Sequence, residues 1–279
     1  MPKKQNNTPE LVEVFIKENG DDVSENTRKT YINIGKNIPF NVLTTQNTII
    51  KKLEELIDNP NTLALYLNLI ILLRRHNKEE TDKLIKYRNK LREKITSLRK
   101  EKLGDIKNKL PKKDELLNKL NEMTGIRYII NYLFMNYGLR NKDINLKKVD
   151  KPPDNKENYL VISPTKAELI INDYKTDETF GQKKIVVKDK KFLKELKGLS
   201  VKDGDYLISK KDGSKLKIST FNERVKALSI DKLGETNIFK VLIADLLADK
   251  NFPAIEKLVE TRGTSLSTIM KSYNVFNST

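Results

Sequence analysis

The hydrophobic residues of this chain follow a helical period over most of its length and a strand-like pattern over one stretch. Residues 9–77 contain four amphipathic segments, and each begins with Ser, Thr or Asn, or has Pro in its first turn, as helix starts prefer. Three β-rich segments, NYLVISP, AELIINDYK and KKIVVKD, fall within 158–189 between turn signals. Helical patterns resume at Thr220. The sequence therefore predicts a mainly α protein with a small antiparallel β-sheet, an α+β class.

The 279 residues suit one large or two modest domains. Four helices of the observed length make a small all-α domain, and Gly104 and Pro111 interrupt the chain after it. We predict a disordered polar tail over 1–8 and a helical domain with a basic C-terminal helix over 9–103. A linker over 104–111 and a second, mixed domain over 112–279 complete the prediction.

Positive charge is concentrated in one part of the chain. The formal net charge is +16, and the run from Lys83 to Lys113 holds thirteen Lys or Arg against three acidic residues. A lysine-rich codon bias explains abundance of lysine but not its clustering. Such a cluster favours a polyanionic partner, either nucleic acid or an anionic membrane surface.

Composition excludes several kinds of site. The chain has no cysteine, so it has neither disulfides nor thiolate nucleophiles, and its single histidine, His76, argues against a histidine-built metal site. We expect no metal and no cofactor. The first ten residues lack the apolar core of a signal peptide, and the apolar run at 63–73 is too short to span a bilayer. We therefore expect an intracellular protein, in cytoplasm or nucleus, or a virion protein, neither secreted nor membrane-bound.

Several segments, in order along residues 9–276, resemble the signatures of the tyrosine recombinase, or phage-integrase, family. The helices SENTRKTYINIGKNI and NTLALYLNLIILLRRHN resemble the family's core-binding domain. YGLRNKDINL resembles the Gly-Leu-Arg element of its catalytic domain, and DYKTDETFGQKKIVV resembles its β-hairpin. SLSTIMKSYNVF resembles the segment that bears the nucleophilic tyrosine. The resemblance implies a core-binding-like domain followed by a recombinase-like catalytic domain.

The resemblance also implies a chemistry and its residues. Tyr273 matches the nucleophile, which attacks a DNA phosphodiester to form a 3′-phosphotyrosyl bond. Arg140 matches the first phosphate-clamping arginine, and Lys175 matches the hairpin lysine that protonates the departing 5′ oxygen. Each position also has a structural interpretation. Arg140 suits a helix-terminal arginine that bonds carbonyls, Lys175 a solvated turn lysine, and Tyr273 an aromatic anchor.

Other catalytic positions depart from the family pattern. The family's His-x-x-Arg falls on Asn237 and Lys240, and lysine keeps the charge but not the bidentate fork. Asparagine hydrogen-bonds but does not shuttle a proton at neutral pH. The later His or Trp falls on Thr264, and the nearby Arg262 is a candidate replacement for the missing phosphate donor. The family resemblance therefore implies a degenerate site that is catalytically weak or inactive.

Three functional hypotheses follow. The first is a degenerate, recombinase-like protein, virus-encoded or from a mobile element, that binds double-stranded DNA as a binding or structural factor. The second is an active integrase or resolvase, and the third is a structural or assembly protein of a virus-like particle. Partners beyond DNA are a homo-oligomer on DNA or other viral proteins. The residues expected to contact DNA phosphates are Lys83, Lys86, Arg88, Lys90, Arg92, Lys94, Arg99, Lys100, Lys183 and Lys184.

Overall fold

A computed structural model describes residues 7–19, 23–107 and 109–272 of the protein. The chain divides into two compact units, Met1–Lys102 and Leu103–Thr279. The first unit is helical. Its helices are α1 (Thr8–Asn19), α2 (Glu25–Asn37), α3 (Gln46–Leu56), α4 (Pro60–His76) and α5 (Asp82–Lys107), the last of which continues past the boundary.

The helix starts of the first unit carry side-chain caps. Ser24 accepts from the backbone N–H of Thr27, and Thr45 accepts from that of Thr48. Asn59 accepts from the backbone N–H groups of the two residues after Pro60, which occupies the first turn of α4. These caps satisfy N–H groups that a helix start leaves without intrahelical partners, so the sequence signals read above correspond to real helix starts.

The core of the first unit is built from the apolar faces of α1 to α4 and the start of α5. Ile70 and Leu84 are buried in it, on α4 and α5. Arg74, also on α4, is buried and donates to the carbonyls of Val42 (2.9 Å) and Thr44 (2.7 Å). It thereby fastens the loop before α3 to the last turn of α4. The single histidine also has a partner, since His76 Nε2 lies 3.2 Å from Glu18 Oε2.

The second unit combines helices with a four-stranded sheet. Its strands are β1 (Leu146–Lys148), β2 (Asn158–Ile162), β3 (Ala167–Ile171) and β4 (Lys183–Val187). The helices before β4 are α6 (Lys113–Glu122), α7 (Gly125–Tyr137) and the short α8 (Asp177–Phe180). Those after it are α9 (Lys190–Gly198), α10 (Ile218–Leu228), α11 (Gly234–Ala248), α12 (Phe252–Arg262) and α13 (Leu266–Ser272).

The sheet has the order β1-β2-β3-β4. β2, β3 and β4 form an antiparallel meander, as the sequence predicted, with Leu160 opposite Leu169 and Leu169 opposite Ile185. β1, which the sequence reading missed, pairs parallel with β2. The α+β class is therefore confirmed, but the sheet is mixed rather than purely antiparallel. Three residues with one buried leucine give too short a pattern to be recognised as a strand.

Two predicted boundaries differ from the structure. Thr8, placed in the polar tail, instead begins α1, where it is buried and its Oγ1 donates to the Phe40 carbonyl at 2.8 Å. Residues 1–6 of that predicted tail lie outside the described part of the chain. Gly104, placed at the start of the linker, lies within α5, which runs to Lys107. No helix in the described ranges is both long and apolar enough to cross a membrane.

Helix α7 runs through the core of the second unit and is anchored there by a buried asparagine. Asn131 Nδ2 donates to the Leu228 carbonyl (3.0 Å), and its Oδ1 accepts from the Ile230 backbone N–H (2.9 Å). The Asn131 side chain therefore ties the middle of α7 to the turn after α10. This fixes the helix whose C-terminal end carries the Gly-Leu-Arg element.

Candidate functional site

The segment after β3 carries the predicted hairpin lysine, and a buried asparagine shapes it. Asn158, at the start of β2, accepts from the backbone N–H groups of Asn172 (2.8 Å) and Asp173 (2.7 Å). Its Nδ2 donates in turn to the Asp173 carbonyl at 2.9 Å and to the Lys142 carbonyl at 3.1 Å. The amide thus replaces ladder hydrogen bonds where β3 ends, and fixes the backbone that leads to 174–176.

Helices α7 and α12 both end in a left-handed glycine. Gly138 has φ +60° and Gly263 has φ +61°. After α12, the Gly263 N–H donates to the Glu260 carbonyl and the Thr264 N–H to the Val259 carbonyl, which is a Schellman motif. The space at Gly138 is closed as well, because an added Cβ would lie 2.9 Å from the Phe239 ring.

Two arginines cross-link these helix ends, because each donates to backbone carbonyls at the other end. Arg262 Nη1 donates to the Gly138 carbonyl at 2.6 Å, while its guanidinium stacks on the Phe239 ring at 4.0 Å. Arg140 Nη1 donates to the Arg262 carbonyl, and its Nη2 approaches the Gly263 carbonyl at 3.5 Å. Cations at helix C-termini also interact favourably with the helix dipoles. Arg140 thus forms the hydrogen bonds to helix-end carbonyls that its structural interpretation predicts.

The segment 174–176 of the predicted hairpin also packs against Gly263. Thr176 Oγ1 donates to the Gly263 carbonyl at 2.6 Å. A Cβ added at Gly263 would lie 2.8 Å from Thr176 Oγ1, 2.8 Å from Tyr174 Cε2 and 2.7 Å from Lys183 Nζ. The end of α12, the segment 174–176 and the start of β4 therefore meet at one glycine, beside Arg140.

Lys183 is the lysine that the structure brings into this cluster. Its Nζ is buried 3.5 Å from the centroid of the Tyr174 ring and has no hydrogen-bond partner among the described residues. The pKa of Lys183 is lowered to about 8, mainly by burial; the Asp143 carboxylate opposes this shift, and the charges of Arg140 and Arg262 contribute to it. A cation in this position is poorly solvated, so binding of an anion beside it would stabilise its charged form.

Asp143 supplies negative charge to the same cluster. The side chain is fully buried, and its Oδ2 accepts from the Arg140 backbone N–H at 3.0 Å. Burial raises the pKa of the Asp143 carboxyl, while that N–H and the charges of Lys183, Arg140 and Arg262 act in the opposite direction. Three cations thus surround one carboxylate, and the cluster is positive overall.

The other positions matched to the family lie in different environments. Lys175 is exposed. Lys240 Nζ lies 3.5 Å from Asn237 Oδ1, one turn earlier on α11. Thr264 is half-buried and serves through its backbone N–H in the helix cap described above. Tyr273 lies outside the described residues.

Arg262 is the predicted residue whose surroundings differ most from the expectation. Its side chain is 1% exposed, and its guanidinium faces the Phe239 ring and the end of α7. The Arg262 side chain is therefore not accessible to a DNA phosphate. The candidate replacement for the missing phosphate donor is instead a buried structural residue.

Most of the predicted DNA-contacting residues lie on the exposed surface of α5. Arg88 is half-buried, and the side chain of Lys100 lies outside the described part of the structure. On β4, Lys184 forms an ion pair with Glu168 of β3 at 2.9 Å, which offsets its charge. The exposed cations of α5 are Lys83, Lys86, Lys90, Arg92, Lys94 and Arg99.

Sequence reading did not place the two residues that characterise the cluster, Asp143 and Lys183, in one site with Arg140. Asp143 lies three residues after Arg140, close enough in the sequence to have been considered with it. Lys183 was assigned a phosphate contact because it begins a basic strand, and only the approach of Gly263 and Tyr174 reveals its burial. A separate cavity of about 610 Å³ lies elsewhere in the unit, between the C-terminal half of α10 and the 205–211 segment.

Comparisons with known proteins find similarity among solved structures only. No family model matches the chain, and no curated protein matches it. A solved structure described as the crystal structure of XerA recombinase is 14% identical, with a TM-score of 0.39, over 97% of this chain and 95% of that one.

Proposed function

We propose that this chain is a DNA-binding protein, resembling a tyrosine recombinase with a degenerate active site, that acts as a DNA-binding or structural factor. It binds double-stranded DNA chiefly through phosphate contacts. Strand cleavage and rejoining are slow or absent. The proposal is carried by the exposed row of cations on α5.

The charge of α5 suits a polyanion because it is both exposed and unbalanced. Lys86, Lys90 and Lys94 recur every four residues, so they project from one side of the helix, and all three are exposed. A protein that neutralises phosphates with Lys or Arg releases condensed counterions, which makes its affinity fall steeply with salt. Phosphate contacts need no catalytic geometry, so they do not depend on the cluster around Arg140.

The surroundings of the recombinase-like positions favour binding over catalysis. Arg140 already donates to the Arg262 carbonyl. Lys240 lies beside the Asn237 amide, which does not transfer protons at neutral pH. Thr264 offers no imidazole or indole. Loss of a single transition-state donor typically costs ~100- to 1,000-fold in rate, so a site with several such departures supports little strand transfer.

Binding is tested by a charge-reversal variant in a salt series. We expect Lys86→Glu, Lys90→Glu and Lys94→Glu together to weaken duplex binding at least ~100-fold near 0.1 M salt. The slope of log affinity against log salt should fall by about three or more, because each lost phosphate contact removes about 0.9 from it.

A control with the same charge change shows whether net charge alone is responsible. The control variant changes three exposed lysines of the second unit to Glu. They are Lys202 before Tyr206, Lys226 on α10 and Lys257 on α12. Equal losses in the two variants, or binding that does not respond to salt, would contradict a specific role for α5.

Catalysis is tested separately from binding. A nicked suicide duplex traps a covalent protein–DNA adduct when a tyrosine has attacked the phosphodiester. We expect no adduct, or a trace that Tyr273→Phe abolishes. An abundant, Tyr273-dependent adduct would refute the inactive assignment and leave the binding proposal intact.

A further inference from the structure

Helices α4 and α5 of the first unit carry matching polar residues at the same spacing. Arg92 Nη2 donates to Asn68 Oδ1 at 3.3 Å, and Arg99 Nη2 donates to Asn61 Oδ1 at 3.3 Å. The two asparagines are seven residues apart on α4, and the two arginines are seven residues apart on α5. Two equivalent Asn–Arg pairs therefore follow one another along an antiparallel helix pair.

These pairs form the walls of a groove with an apolar floor. Its volume is about 380 Å³, and Ala64, Leu65 and Ile95 lie between the polar residues. Arg92 and Arg99 line the groove and are exposed. A guanidinium carries five N–H donors, and the recorded bond to asparagine uses one of them in each arginine.

The acceptors in this groove are neutral amides, which sets it apart from other cationic positions. Lys184 is paired with Glu168 at 2.9 Å, and Lys113 with Asp245 at 2.6 Å. Among the described residues that line the groove there is no carboxylate. An amide oxygen accepts a hydrogen bond from an arginine and holds its side chain in place without cancelling the positive charge. A carboxylate also holds the side chain in place, but it cancels the charge.

We propose that Asn61 and Asn68 are positioning residues that hold Arg92 and Arg99 ready to bind two phosphates of one nucleic-acid strand. This inference rests on the proposed function, since it assumes that α5 contacts DNA. A free arginine side chain has much rotamer entropy, which it loses when a ligand immobilises it. Pre-ordering it against a neutral acceptor reduces the part of that entropy which binding would otherwise remove.

The spacing of the two arginines suits a strand of nucleic acid. Seven residues of α-helix rise about 10.5 Å. Two guanidiniums at this separation contact two different phosphates rather than the same one, so both arginines can act along one strand.

Arg88 extends the same positive row by one turn. Its Nη1 approaches Asn68 Oδ1 at 3.5 Å, so Asn68 faces two arginines. Burial lowers the pKa of Arg88, and the charges of Arg92 and Arg75 lower it further. The crowding of like charges around one neutral amide indicates a positive potential that is not balanced locally, as an anion-binding groove requires.

The experiment compares paired variants on one short duplex. We expect Asn61→Ala with Asn68→Ala to weaken binding about tenfold, or about 1.4 kcal/mol, with the salt slope unchanged. Arg92→Ala with Arg99→Ala should lower the slope by about two, because two phosphate contacts are lost. Asn33→Ala, at an exposed asparagine of α2, is the matched control and should bind as the wild type does.

A carboxylate in place of the amide separates positioning from a merely structural role. Asn68→Asp keeps an acceptor for Arg92 but cancels charge, so we expect weaker binding with a smaller salt slope and an unchanged melting temperature. If the asparagine variants bind as tightly as the wild type while the arginine variants lose affinity, the inference is overturned and the proposed function stands.

Two further results would also overturn the inference. Arginine variants that bind as the wild type does would place the DNA elsewhere. Poly-glutamate that displaces DNA at equal charge concentration would assign the groove to acidic polypeptides. Wild-type protein that does not bind DNA even at low salt would refute the proposed function itself, and the inference with it.

Discussion

Arg140 gives the sharpest test of the cluster, because its two interpretations predict different measurements. As a phosphate clamp, it would contribute to DNA chemistry and little to folding. In the structure it donates to the backbone carbonyls of Arg262 and Gly263, 122 and 123 residues later in the chain. Removing its side chain should therefore destabilise the second unit even in the absence of DNA.

The expected size of this effect follows from the bonds that are lost. A hydrogen bond to a charged donor contributes about 1.5–3 kcal/mol. The contact to the Gly263 carbonyl is long, at 3.5 Å, so we assign nearly all of the effect to the Arg262 carbonyl. Arg140→Ala should then cost about 2 kcal/mol. For a unit of this size, that corresponds to a fall of about 4–8 °C in melting temperature.

Thermal unfolding followed by circular dichroism measures this directly. Arg127→Ala, at an exposed arginine on α7, removes the same charge and should shift the melting temperature by no more than about 1–2 °C. Arg140→Lys should fall between the wild type and Arg140→Ala, because an ammonium lacks the planar fork. An Arg140→Ala protein that melts with the wild type would refute the structural role of the guanidinium.

Two other perturbations probe the same cluster. Gly263→Ala should lower the free energy of unfolding by about 2–4 kcal/mol, because the new Cβ meets both a positive φ and steric overlap. The control Gly234→Ala is also at positive φ but in open space, and should cost about 1 kcal/mol in chemical denaturation. Equal losses in the two variants would contradict close packing at Gly263. Lys183→Met should raise the melting temperature at pH 7 and lose that advantage as the pH rises from about 8 to 10.5. The reason is that the pKa of Lys183 is lowered on folding, so unfolding takes up a proton in that range and the wild type gains stability with pH. A difference independent of pH would show that Lys183 titrates normally.

Local signals account for the parts of the fold that the sequence predicted. Ser24, Thr45 and Asn59 mark helix starts because each bonds N–H groups within three residues, which a linear pattern records. The β2–β3–β4 meander is predictable for the same reason, since its strands are neighbours in the sequence. β1 was missed because its partner, β2, is reached only after a gap of nine residues and its own pattern is three residues long.

The candidate site depended on contacts that no local pattern records. The motif around Arg140 predicted where an arginine would lie, but its acceptors are more than 120 residues away. Lys175 and Lys183 both lie near the ends of the hairpin segment, and the sequence offered no means to decide which is buried. The aromatic face of Tyr174 and the bare backbone of Gly263 decide it, because they cover Lys183 Nζ.

The structural role of Arg140 shows why an arginine at this position is not by itself a sign of catalysis. A guanidinium that holds two helix ends together is required for stability whether or not a phosphate ever reaches it. At 237 and 264, by contrast, Asn237 and Thr264 stand where the family resemblance predicts proton-transferring and phosphate-binding residues. The presence of Arg140 is therefore compatible with the proposed DNA-binding factor as well as with an active enzyme, and the trapped-adduct experiment distinguishes the two.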